Sequence, residues 1–391
     1  MESRIKSAAK TRSHIMLYGP SKQGKSWLVA KHFPNHVRHG CASTSTALAV
    51  LHSFLAKAGE PTSVQTSKET EFHASAQVVG SLSREGEHAT FIPSDEVSSI
   101  ASRLRDLYPD KYLLIENFHF MPARERAVFS SVLKELHDQT IPVILVGVSK
   151  HEDDLVSTTM DLSGRLQHFA VDDWTDEDLR EIGRRGGLAL GIKIERTVLD
   201  KMIKMSARNV GLFQLMLMYY CEENEITETR PGTLPIVLSS ESSLRRAIAN
   251  IYIEVVGQSS QVLSRLATHD PAYKTLVLAI AKLLVVQVSS SVDSASHDLV
   301  HFGLALTAIC TTAHELVPSI SKEAFWSQLG EFNRYQSEVL NSPAMYVDSR
   351  SSRLFFLDHS ILSASEMSHY LAKDFLLESN LSYSLEEWAR E

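Results

Sequence analysis

The sequence predicts an α/β fold, in which a doubly wound parallel sheet is followed by a mostly helical C-terminal part. Three observations predict this class. Short apolar runs alternate with helical patterns over residues 14–170, a glycine turn separates the first apolar run from the first helix, and helical patterns dominate beyond Trp174. Apolar runs with polar or turn flanks fit strands that are buried on both faces of a parallel sheet. The order strand, helix, strand then implies right-handed crossovers.

Three apolar runs are the predicted strands. They are His14–Tyr18 (HIMLY), Lys111–Ile115 (KYLLI) and Pro142–Val148 (PVILVGV). The segment Lys25–Phe33 is predicted to be the helix after the first strand. Between the other two strands, Arg124–His137 has the apolar period of a helix.

Other segments set the predicted domain boundaries. Residues 59–95 are rich in Ser, Thr, Glu and Gly, and we expect them to form a surface excursion inside the first domain. The segment Trp174–Glu223 has a helical pattern throughout, and Thr175-x-x-Asp178 is a capping-box variant that begins its first helix. The Pro- and Gly-containing segment Thr229–Pro235 is the predicted boundary to the last domain.

The C-terminal part, residues 242–391, is mostly helical in pattern, with one exception. The apolar runs Ala344–Val347 and Leu354–Leu357 are separated by a polar turn and predict a hairpin, which follows a helix-like segment at Lys322–Phe332. The predicted domains are 1–172, 173–228 and 236–391.

Composition limits the functions that the chain can serve. It has 391 residues, of which 43% are hydrophobic and 22% charged, and this suits two or three globular domains. The formal net charge of -8 excludes a chain-wide basic field for nucleic acid, although a local patch stays open. The cysteines, Cys41, Cys221 and Cys310, have the spacing of neither a disulfide framework nor a zinc site, which favours a reducing, cytoplasmic setting.

The sequence predicts no membrane contact. The most apolar stretch, Thr275–Val288, contains Lys282 and is shorter than the roughly 20 residues that a spanning helix needs, so we expect a buried helix. The N-terminus, MESRIKSAAKTRSH, lacks the apolar run of a signal peptide and is expected to be a disordered polar tail.

One motif carries the predicted chemistry. The segment GPSKQGKS at 19–26 matches G-x-x-x-x-G-K-[ST], the P-loop pattern, in full. Glycines allow the backbone to wrap closely around phosphates so that several N–H groups point inward, and the following helix adds the positive end of its dipole. The predicted nucleotide-binding residues are Gly19, Pro20, Ser21, Lys22, Gln23, Gly24, Lys25, Ser26 and Trp27.

Two side chains of the motif have predicted roles. Lys25 is expected to reach the β and γ phosphates of a nucleoside triphosphate, and the Ser26 hydroxyl is expected to ligate Mg²⁺. The Lys22 side chain is expected to be a solvated loop charge. The alternative is an ordinary glycine-rich turn, which the apolar strand before the motif and the helix after it disfavour.

A P-loop needs a second acid for its metal, at the end of a neighbouring buried strand. Glu116 follows the apolar run that ends at Ile115 and is the predicted Mg²⁺ partner, directly or through water. A strand-end surface acid is the alternative. Asn117 comes next, where many P-loop ATPases place a glutamate that polarises the attacking water. An amide orients a water but does not accept its proton, so slow hydrolysis is predicted.

These residues resemble the AAA+ class of P-loop ATPases, and within it the bacterial branch near origin-recognition, transposon-helper and STAND signalling ATPases. The resemblance covers residues 10–225 and implies ATP as the nucleotide. The run IENFH at 115–119 looks like the Walker B segment of that branch. The end of the predicted strand at Val148 looks like sensor 1, which implies a place near the γ phosphate for Ser149. A strand-end turn serine is the alternative.

The resemblance also implies roles for two arginines. The segment LSGRL at 162–166 resembles the one that carries an arginine finger, in which Arg165 reaches the γ phosphate of a neighbouring subunit. This role requires a homo-oligomer when ATP is bound, and its alternative is an arginine in an intramolecular ion pair. Sensor 2 is usually Gly-x-x-Arg in a helical lid, whereas here Arg208 has the glycine position and Gly211 the arginine position. Arg208 either substitutes from another point on the helix or is a solvated helix-start residue.

Residues 265–365 resemble a winged-helix domain in which Asp348–Arg353 is the wing. Arg350 and Arg353 are then placed to touch a phosphate backbone, unless the module packs against protein instead. The predicted function is an ATP-bound, slowly hydrolysing, assembly-coupled switch whose C-terminal module engages a protein effector or DNA. The alternatives are a DNA-handling helper ATPase of transposition or replication, and a nucleotide-binding adaptor without hydrolysis.

Overall fold

The computed structural model describes residues 2–60, 94–149, 162, 164–172, 174–229, 235–289, 299–300, 302–340 and 343–372. The chain forms two compact units. The first comprises Met1–Tyr18 and Lys25–Ala170, and the second comprises Gly19–Gly24 and Val171–Glu391. The division into three domains at 172 and 228 stays a prediction, and most of the surface excursion predicted at 59–95 lies outside the described residues.

The first unit contains a five-stranded parallel sheet. The order of its strands across the sheet is β2-β3-β4-β1-β5, and every neighbouring pair is parallel. Because strands that are adjacent in sequence are joined by crossovers, the doubly wound parallel sheet predicted from the apolar runs is confirmed. The strands are β1 (His14–Tyr18), β2 (His36–Gly40), β3 (Tyr112–Glu116), β4 (Val143–Val146) and β5 (Leu166–Ala170).

The described helices of the first unit are α1 (Glu2–Thr11), α2 (Lys25–His32), α3 (Ala47–Lys57), α4 (Ser94–Leu107) and α5 (Ala123–Asp138). Helix α1 shows that the prediction of a disordered N-terminal tail was wrong. Its Ile5 and Ala8 are fully buried, and the guanidinium of Arg4 lies 5.3 Å from the centre of the Phe169 ring. These two apolar residues are three apart and share one helix face, which the polar composition of the segment concealed.

Burial explains which strands the sequence revealed. Ile15, Met16 and Leu17 of β1 are fully buried, as a continuous apolar run in a central parallel strand should be. Strand β5 (LQHFA) lies at the edge of the sheet, and only its Leu166 and Phe169 are buried. A half-exposed edge strand needs no continuous apolar run, so the sequence analysis missed it.

His14 is a buried polar residue that holds the sheet to a helix of the first unit. Its Nε2–H donates to the Leu133 carbonyl at 2.8 Å, and its Nδ1 accepts from the Val143 N–H at 3.0 Å. Burial lowers the pKa of His14 to about 4. The imidazole is therefore neutral at pH 7, with both ring nitrogens satisfied.

After Val171, the second unit contains the helices of the segment predicted to be helical, α6 (Asp176–Leu190), α7 (Arg196–Met205) and α8 (Val210–Glu223). Both hydrogen bonds of the predicted capping box are present: the Thr175 side chain accepts from the Asp178 N–H, and the Asp178 side chain accepts from the Thr175 N–H. The all-helical prediction for this segment was wrong at one place, where β6 (Ile192–Ile194) pairs in parallel with β7 (Ile236–Leu238). Two isoleucines two residues apart suit a strand, whose side chains alternate between faces.

The rest of the second unit contains a three-stranded antiparallel sheet, in the order β8-β10-β9. The predicted hairpin is confirmed, and the order helix, strand, two helices and hairpin agrees with the predicted winged-helix-like fold. A π-helical turn at Tyr252–Val256 joins the first two helices. The elements are α9 (Glu241–Ile251), α10 (Gly257–His269), α11 (Lys274–Ser289), β8 (Leu304–Ala305), α12 (Leu306–Leu316), α13 (Lys322–Val339), β9 (Met345–Asp348), β10 (Arg353–Phe356) and α14 (Ser360–Ala372).

One described helical segment, Pro271–Val288, passes the length and hydropathy criteria for crossing a membrane. A buried core helix passes the same criteria. Leu276, Val277 and Ile280 of this segment are fully buried in the hydrophobic core of the second unit. The segment therefore has the burial of the core helix that its sequence predicted.

Candidate functional site

The P-loop motif connects β1 to α2, and its backbone conformation explains the need for glycine. Gly19 has φ +133° and Gly24 has φ +89°, values that side-chain-bearing residues rarely adopt. A Cβ on Gly19 would lie 2.6 Å from the Val171 carbonyl oxygen. Lys22 also has a positive φ, 61°, and it is exposed, as expected for a solvated loop charge. Pro20 is buried.

Three successive carbonyl groups of this loop accept hydrogen bonds from donors of the second unit. The Ser21 carbonyl accepts from Asn209 Nδ2 at 3.3 Å, and the Lys22 carbonyl accepts from the Gly211 N–H at 3.1 Å. The Gln23 carbonyl accepts from the indole Nε1–H of Trp174 at 3.3 Å. None of these three donors was among the predicted site residues.

The same loop also contacts the segment that follows the hairpin of the second unit. The Ser21 N–H donates to the Leu357 carbonyl at 3.3 Å. Gln23 Nε2 lies 3.2 Å from His359 Nδ1, where an amide N–H donates to the imidazole. Gln23 is 1% exposed and His359 is 2% exposed, so this polar pair is shielded from water. No sequence motif pointed to a contact between residues so far apart in the chain.

The first turn of α2 carries the two side chains with predicted phosphate and metal roles. Lys25 is buried, with 8% exposed. The Ser26 hydroxyl donates to Glu116 Oε1 at 3.2 Å. Glu116 ends β3 and is 6% exposed, and its other oxygen, Oε2, forms an ion pair with Arg38 of β2. Glu116 is therefore not the surface acid that was the alternative prediction. Nothing in the sequence indicated the ion pair with Arg38.

The oxygen atoms of Ser26 and Glu116 fit a shared magnesium ion. Two ligands side by side on an octahedral Mg²⁺, each about 2.1 Å from the metal, are about 3 Å apart. The Ser26 Oγ and Glu116 Oε1 atoms are 3.2 Å apart. The described residues hold no cluster of three or more His, Cys, Asp or Glu side chains that would form a separate metal site.

Asn117 follows the strand in a conformation that few residues adopt. Its φ and ψ are 55° and 33°, in the left-handed region, where asparagine is tolerated better than most residues. The residue is exposed, and its side chain makes no capping bond to the 3₁₀ turn Phe118–Phe120. The amide therefore stands at the solvent-accessible end of a buried strand.

His119 links the turn after β3 to the segment after β4. Its Nδ1 accepts from the Val148 N–H at 3.2 Å. Burial, followed by the charges of Lys25 and Arg126, lowers the pKa of His119 to about 4, so its imidazole is a neutral acceptor at pH 7. Ser149, the predicted sensor 1 residue, is the next residue after Val148 and is 4% exposed. Strand β4 ends at Val146, two residues earlier than predicted.

The two arginines with implied roles both form ion pairs with acids nearby. Arg165 Nη1 lies 3.3 Å from Asp138 Oδ1, which is the intramolecular pair named as the alternative to a finger. Arg208 has φ 56° and donates from Nε to Asp176 Oδ1 at 3.1 Å, and its side chain is 12% exposed. Arg208 is therefore not a solvated helix-start residue. The finger and sensor 2 roles stay predictions.

Trp27 is the one large aromatic residue among the residues predicted to bind nucleotide, and its side chain is mostly exposed. It is 60% exposed, and the Lys31 ammonium lies 4.5 Å from the centre of its ring. A cation over an exposed indole contributes about 0.5–1 kcal/mol. The structure gives Trp27 this local contact, and its role toward a nucleotide stays a prediction.

Known proteins with similar sequences or structures also contain a P-loop fold. The family model described as Bacterial TniB protein matches residues 1–176. No curated protein matches the sequence significantly. The Walker-type ATPase PABY2304 of Pyrococcus abyssi has a similar structure, with a TM-score of 0.51, 12% identity, and coverage of 93% of this chain and 94% of that chain.

Two further solved structures align less closely. The Aeropyrum pernix ORC1 protein, solved in complex with DNA, has a TM-score of 0.41, 12% identity, and coverage of 95% of this chain and 93% of that chain. The Thermotoga maritima RuvB Holliday junction branch migration motor has a TM-score of 0.40, 13% identity, and coverage of 90% and 89%. The complete P-loop, the parallel sheet and the similarity to PABY2304 together show that the chain has the P-loop fold of AAA+ proteins, and its residues 1–176 resemble the TniB family.

Proposed function

We propose that this protein is an ATP-bound molecular switch that hydrolyses ATP slowly and assembles into a homo-oligomer in the ATP state. The observation that carries the proposal is the direct hydrogen bonding between the phosphate loop and the C-terminal segment of the second unit. Ser21 bonds to Leu357, and Gln23 bonds to His359. Any change of loop conformation on nucleotide binding must therefore be accommodated by the segment after the hairpin.

The residues that hold the nucleotide support Mg²⁺-dependent binding. Lys25 supplies a positive charge for the phosphates, and burial of its side chain strengthens that charge's attraction to them. Ser26 and Glu116 would hold Mg²⁺, which neutralises negative charge on the β and γ phosphates when bound. The Arg38 ion pair orients the Glu116 carboxylate.

The residue after Glu116 supports slow hydrolysis. A general base that takes the proton of the attacking water contributes roughly 10²- to 10⁴-fold to a rate. Asn117 offers an amide at this position, which orients water but accepts no proton. His119 is held neutral but already accepts the Val148 N–H through Nδ1, so that nitrogen is occupied. The switch therefore stays in its ATP state longer than one with a glutamate at position 117.

The C-terminal module is better suited to a protein effector than to duplex DNA. Arg334 on the exposed face of α13 is paired with Glu331 at 2.7 Å and Glu338 at 3.8 Å, so the acids there outnumber the arginine. In the wing, Arg353 donates to the carbonyls of Phe302 and Gly303. Bonds to carbonyls leave the charge of Arg353 in place but commit its Nη1 to the chain, whereas contact with a DNA backbone needs cationic donors directed at phosphate.

The second candidate function is a transposition-helper ATPase, which the match of residues 1–176 to the TniB model favours. It shares the nucleotide chemistry of the first proposal but requires DNA to raise the rate of hydrolysis. A cytoplasmic location belongs to both proposals, because the spacing of the three cysteines is that of neither a disulfide framework nor a zinc site.

Nucleotide binding and assembly are tested together by measuring the mass of the purified chain with and without ATP and Mg²⁺. We expect the wild type to bind MgATP and to gain mass, and Lys25→Ala to lose binding by at least about 100-fold because it removes a buried phosphate partner. Arg165→Ala should bind MgATP normally but fail to assemble, whereas Arg334→Ala serves as a surface arginine control.

Three results would decide between the proposals. A wild-type chain without MgATP binding ends both of them. Binding without any gain in mass ends the assembly-coupled switch. Hydrolysis that rises at least tenfold with duplex DNA at low salt would favour the transposition helper over the switch.

A further inference from the structure

Three successive carbonyls of the phosphate loop accept hydrogen bonds from donors of different kinds, an indole, a carboxamide and a backbone amide. These are Trp174, Asn209 and Gly211, which bond to the carbonyls of Gln23, Ser21 and Lys22. We propose that Trp174 and Asn209 are positioning residues that orient the amides of the loop toward the phosphates of the nucleotide. The inference rests on the proposed nucleotide binding and names residues that no family motif assigns.

Peptide geometry connects these carbonyl contacts to the amides. In a trans peptide the C=O of one residue and the N–H of the next point in opposite directions. Fixing the carbonyls of Ser21, Lys22 and Gln23 on one side therefore fixes the N–H groups of Lys22, Gln23 and Gly24 on the other. These three consecutive amides belong to the loop that the motif assigns to phosphate binding.

The loop conformation makes such support necessary. Lys22 has φ 61°, a left-handed conformation that a residue with a side chain adopts at a cost, whereas Gly24 adopts its φ of 89° without strain. Several N–H groups that point together also repel one another until an anion arrives. Three hydrogen bonds on the opposite side of the same peptides offset both costs before the nucleotide binds.

Asn209 is held so that its amide nitrogen faces the loop. It is fully buried at the start of α8, and its Oδ1 accepts from the Leu212 N–H at 3.1 Å as the helix N-cap. Because Oδ1 is used in the cap, Nδ2 is the atom directed at the Ser21 carbonyl, 3.3 Å away. The same side chain therefore begins the helix and fixes the loop.

Gly211 allows the helix to come this close. A Cβ at position 211 would lie 3.0 Å from the Lys22 Cβ and 3.2 Å from the Lys22 carbonyl oxygen. Gly211 stands where the sensor 2 pattern has an arginine. Its absence of a side chain permits the Gly211 N–H to reach the Lys22 carbonyl at 3.1 Å.

Trp174 is fixed by the helix that it precedes. Thr175 caps α6, and the capping box with Asp178 holds the backbone on both sides of the cap. The indole has one donor and no acceptor, so its Nε1–H can only donate, and it does so to the Gln23 carbonyl. Arg208, the sensor 2 candidate, pairs with Asp176.

The test replaces each donor while keeping the rest of the side chain's role. Trp174→Phe keeps an aromatic ring and removes the N–H. Asn209→Ser keeps a neutral N-cap oxygen and removes the amide donor, and Asn209→Asp keeps the cap and the shape. Trp326→Phe, at an exposed position of α13, is the matched control for the loss of an indole. Binding of MgATP and of inorganic tripolyphosphate is measured by calorimetry, together with the melting temperature without ligand.

We expect each donor variant to lose about 3- to 10-fold in affinity for both ligands, as the loss of one hydrogen bond predicts. Equal losses for MgATP and tripolyphosphate locate the effect at the phosphates. Trp326→Phe should bind both ligands like the wild type.

Three outcomes would overturn the inference. If the variants bind tripolyphosphate like the wild type, the contacts do not orient the loop. If such a variant also has a lower melting temperature, the contacts stabilise only the fold. A loss for MgATP alone would place Trp174 against the base or sugar. A wild-type chain that binds neither ligand overturns this inference and the proposed nucleotide binding together.

Discussion

The phosphate loop and the end of strand β3 at Glu116 differ in one respect. The loop has all the residues of its motif, whereas the strand end has only one of the two acidic side chains common in P-loop ATPases. The loop has every position of its motif, a buried Lys25, and carbonyls that are held by hydrogen bonds along three successive residues. The strand end has one carboxylate, Glu116, which is paired with Arg38, and then an exposed amide at Asn117. The loop keeps every position that the P-loop pattern assigns to the nucleotide, whereas the strand end carries an amide where many P-loop ATPases place a glutamate.

From this difference we expect that nucleotide binding and hydrolysis can be changed separately in this chain. The binding groups depend on backbone geometry, which few substitutions preserve. The hydrolytic group is a single side chain at a strand end, where an amide and a carboxylate have nearly the same shape.

The largest effect is expected from restoring a base at the strand end. Asn117→Glu should raise the rate of phosphate release at saturating MgATP by about 100-fold, because a carboxylate accepts the proton that an amide leaves on the water. The left-handed backbone at position 117 reduces the gain below its upper limit.

The control for this prediction is Asn117→Gln, which has the length of glutamate without its basicity and should leave the rate unchanged. Equal rates for the Glu and Gln variants would mean that position 117 plays no part in activating water, and the comparison would fail.

Low pH should reduce the stability of the first unit, which contains β3. His14 is neutral when folded, with its pKa lowered to about 4, and takes up a proton below about pH 6.5 when unfolded. Between these values the unfolded state binds more protons, so stability is present above pH 6.5 and is lost as the pH falls toward 4. We expect about 2 kcal/mol less protection of β1 amides at pH 5 than at pH 7, from hydrogen exchange corrected for the intrinsic rate.

His14→Gln is the control for the acid effect, because glutamine offers both a donor and an acceptor but does not titrate in this range. Its β1 protection should change much less between the two pH values. The same pH dependence in both proteins would assign the acid effect to other groups.

The smallest of these effects concerns the metal. Glu116→Gln keeps the size of the side chain and removes its charge, so affinity for MgATP should fall about tenfold, while affinity for ATP in excess EDTA changes less than twofold. Glu331→Gln, on the exposed face of α13, is the matched control. A similar loss with and without Mg²⁺ would show that Glu116 acts on the loop and not on the metal.

The sequence predicted those parts of the fold whose signals are local. Strand β1 and helix α2 were found because a continuous apolar run meets a glycine turn, and both span the predicted residues to within one position. Strand β5 and helix α1 were missed because their burial depends on neighbours that are distant in the chain. The polar segment around Ile5 gives no sign that Phe169 and the rest of the first unit will cover it.

The same limit applies to the site. The motif predicted the loop, Lys25 and Ser26, and the end of an apolar run predicted Glu116. Arg38, Trp174 and Asn209 were not predicted, because each acts by one hydrogen bond or ion pair to a residue that sequence spacing does not connect to it. The fold brings these groups together, and only a pattern shared by many related sequences would have revealed them beforehand.

The contact between Gln23 and His359 joins residues 336 positions apart. A ribosome that adds roughly 5–20 residues per second needs roughly 20–70 s to cover that interval. For most of this time the nascent chain has a phosphate loop but lacks the imidazole that the loop will contact. The contact can form only after residues 24–358 have been synthesised.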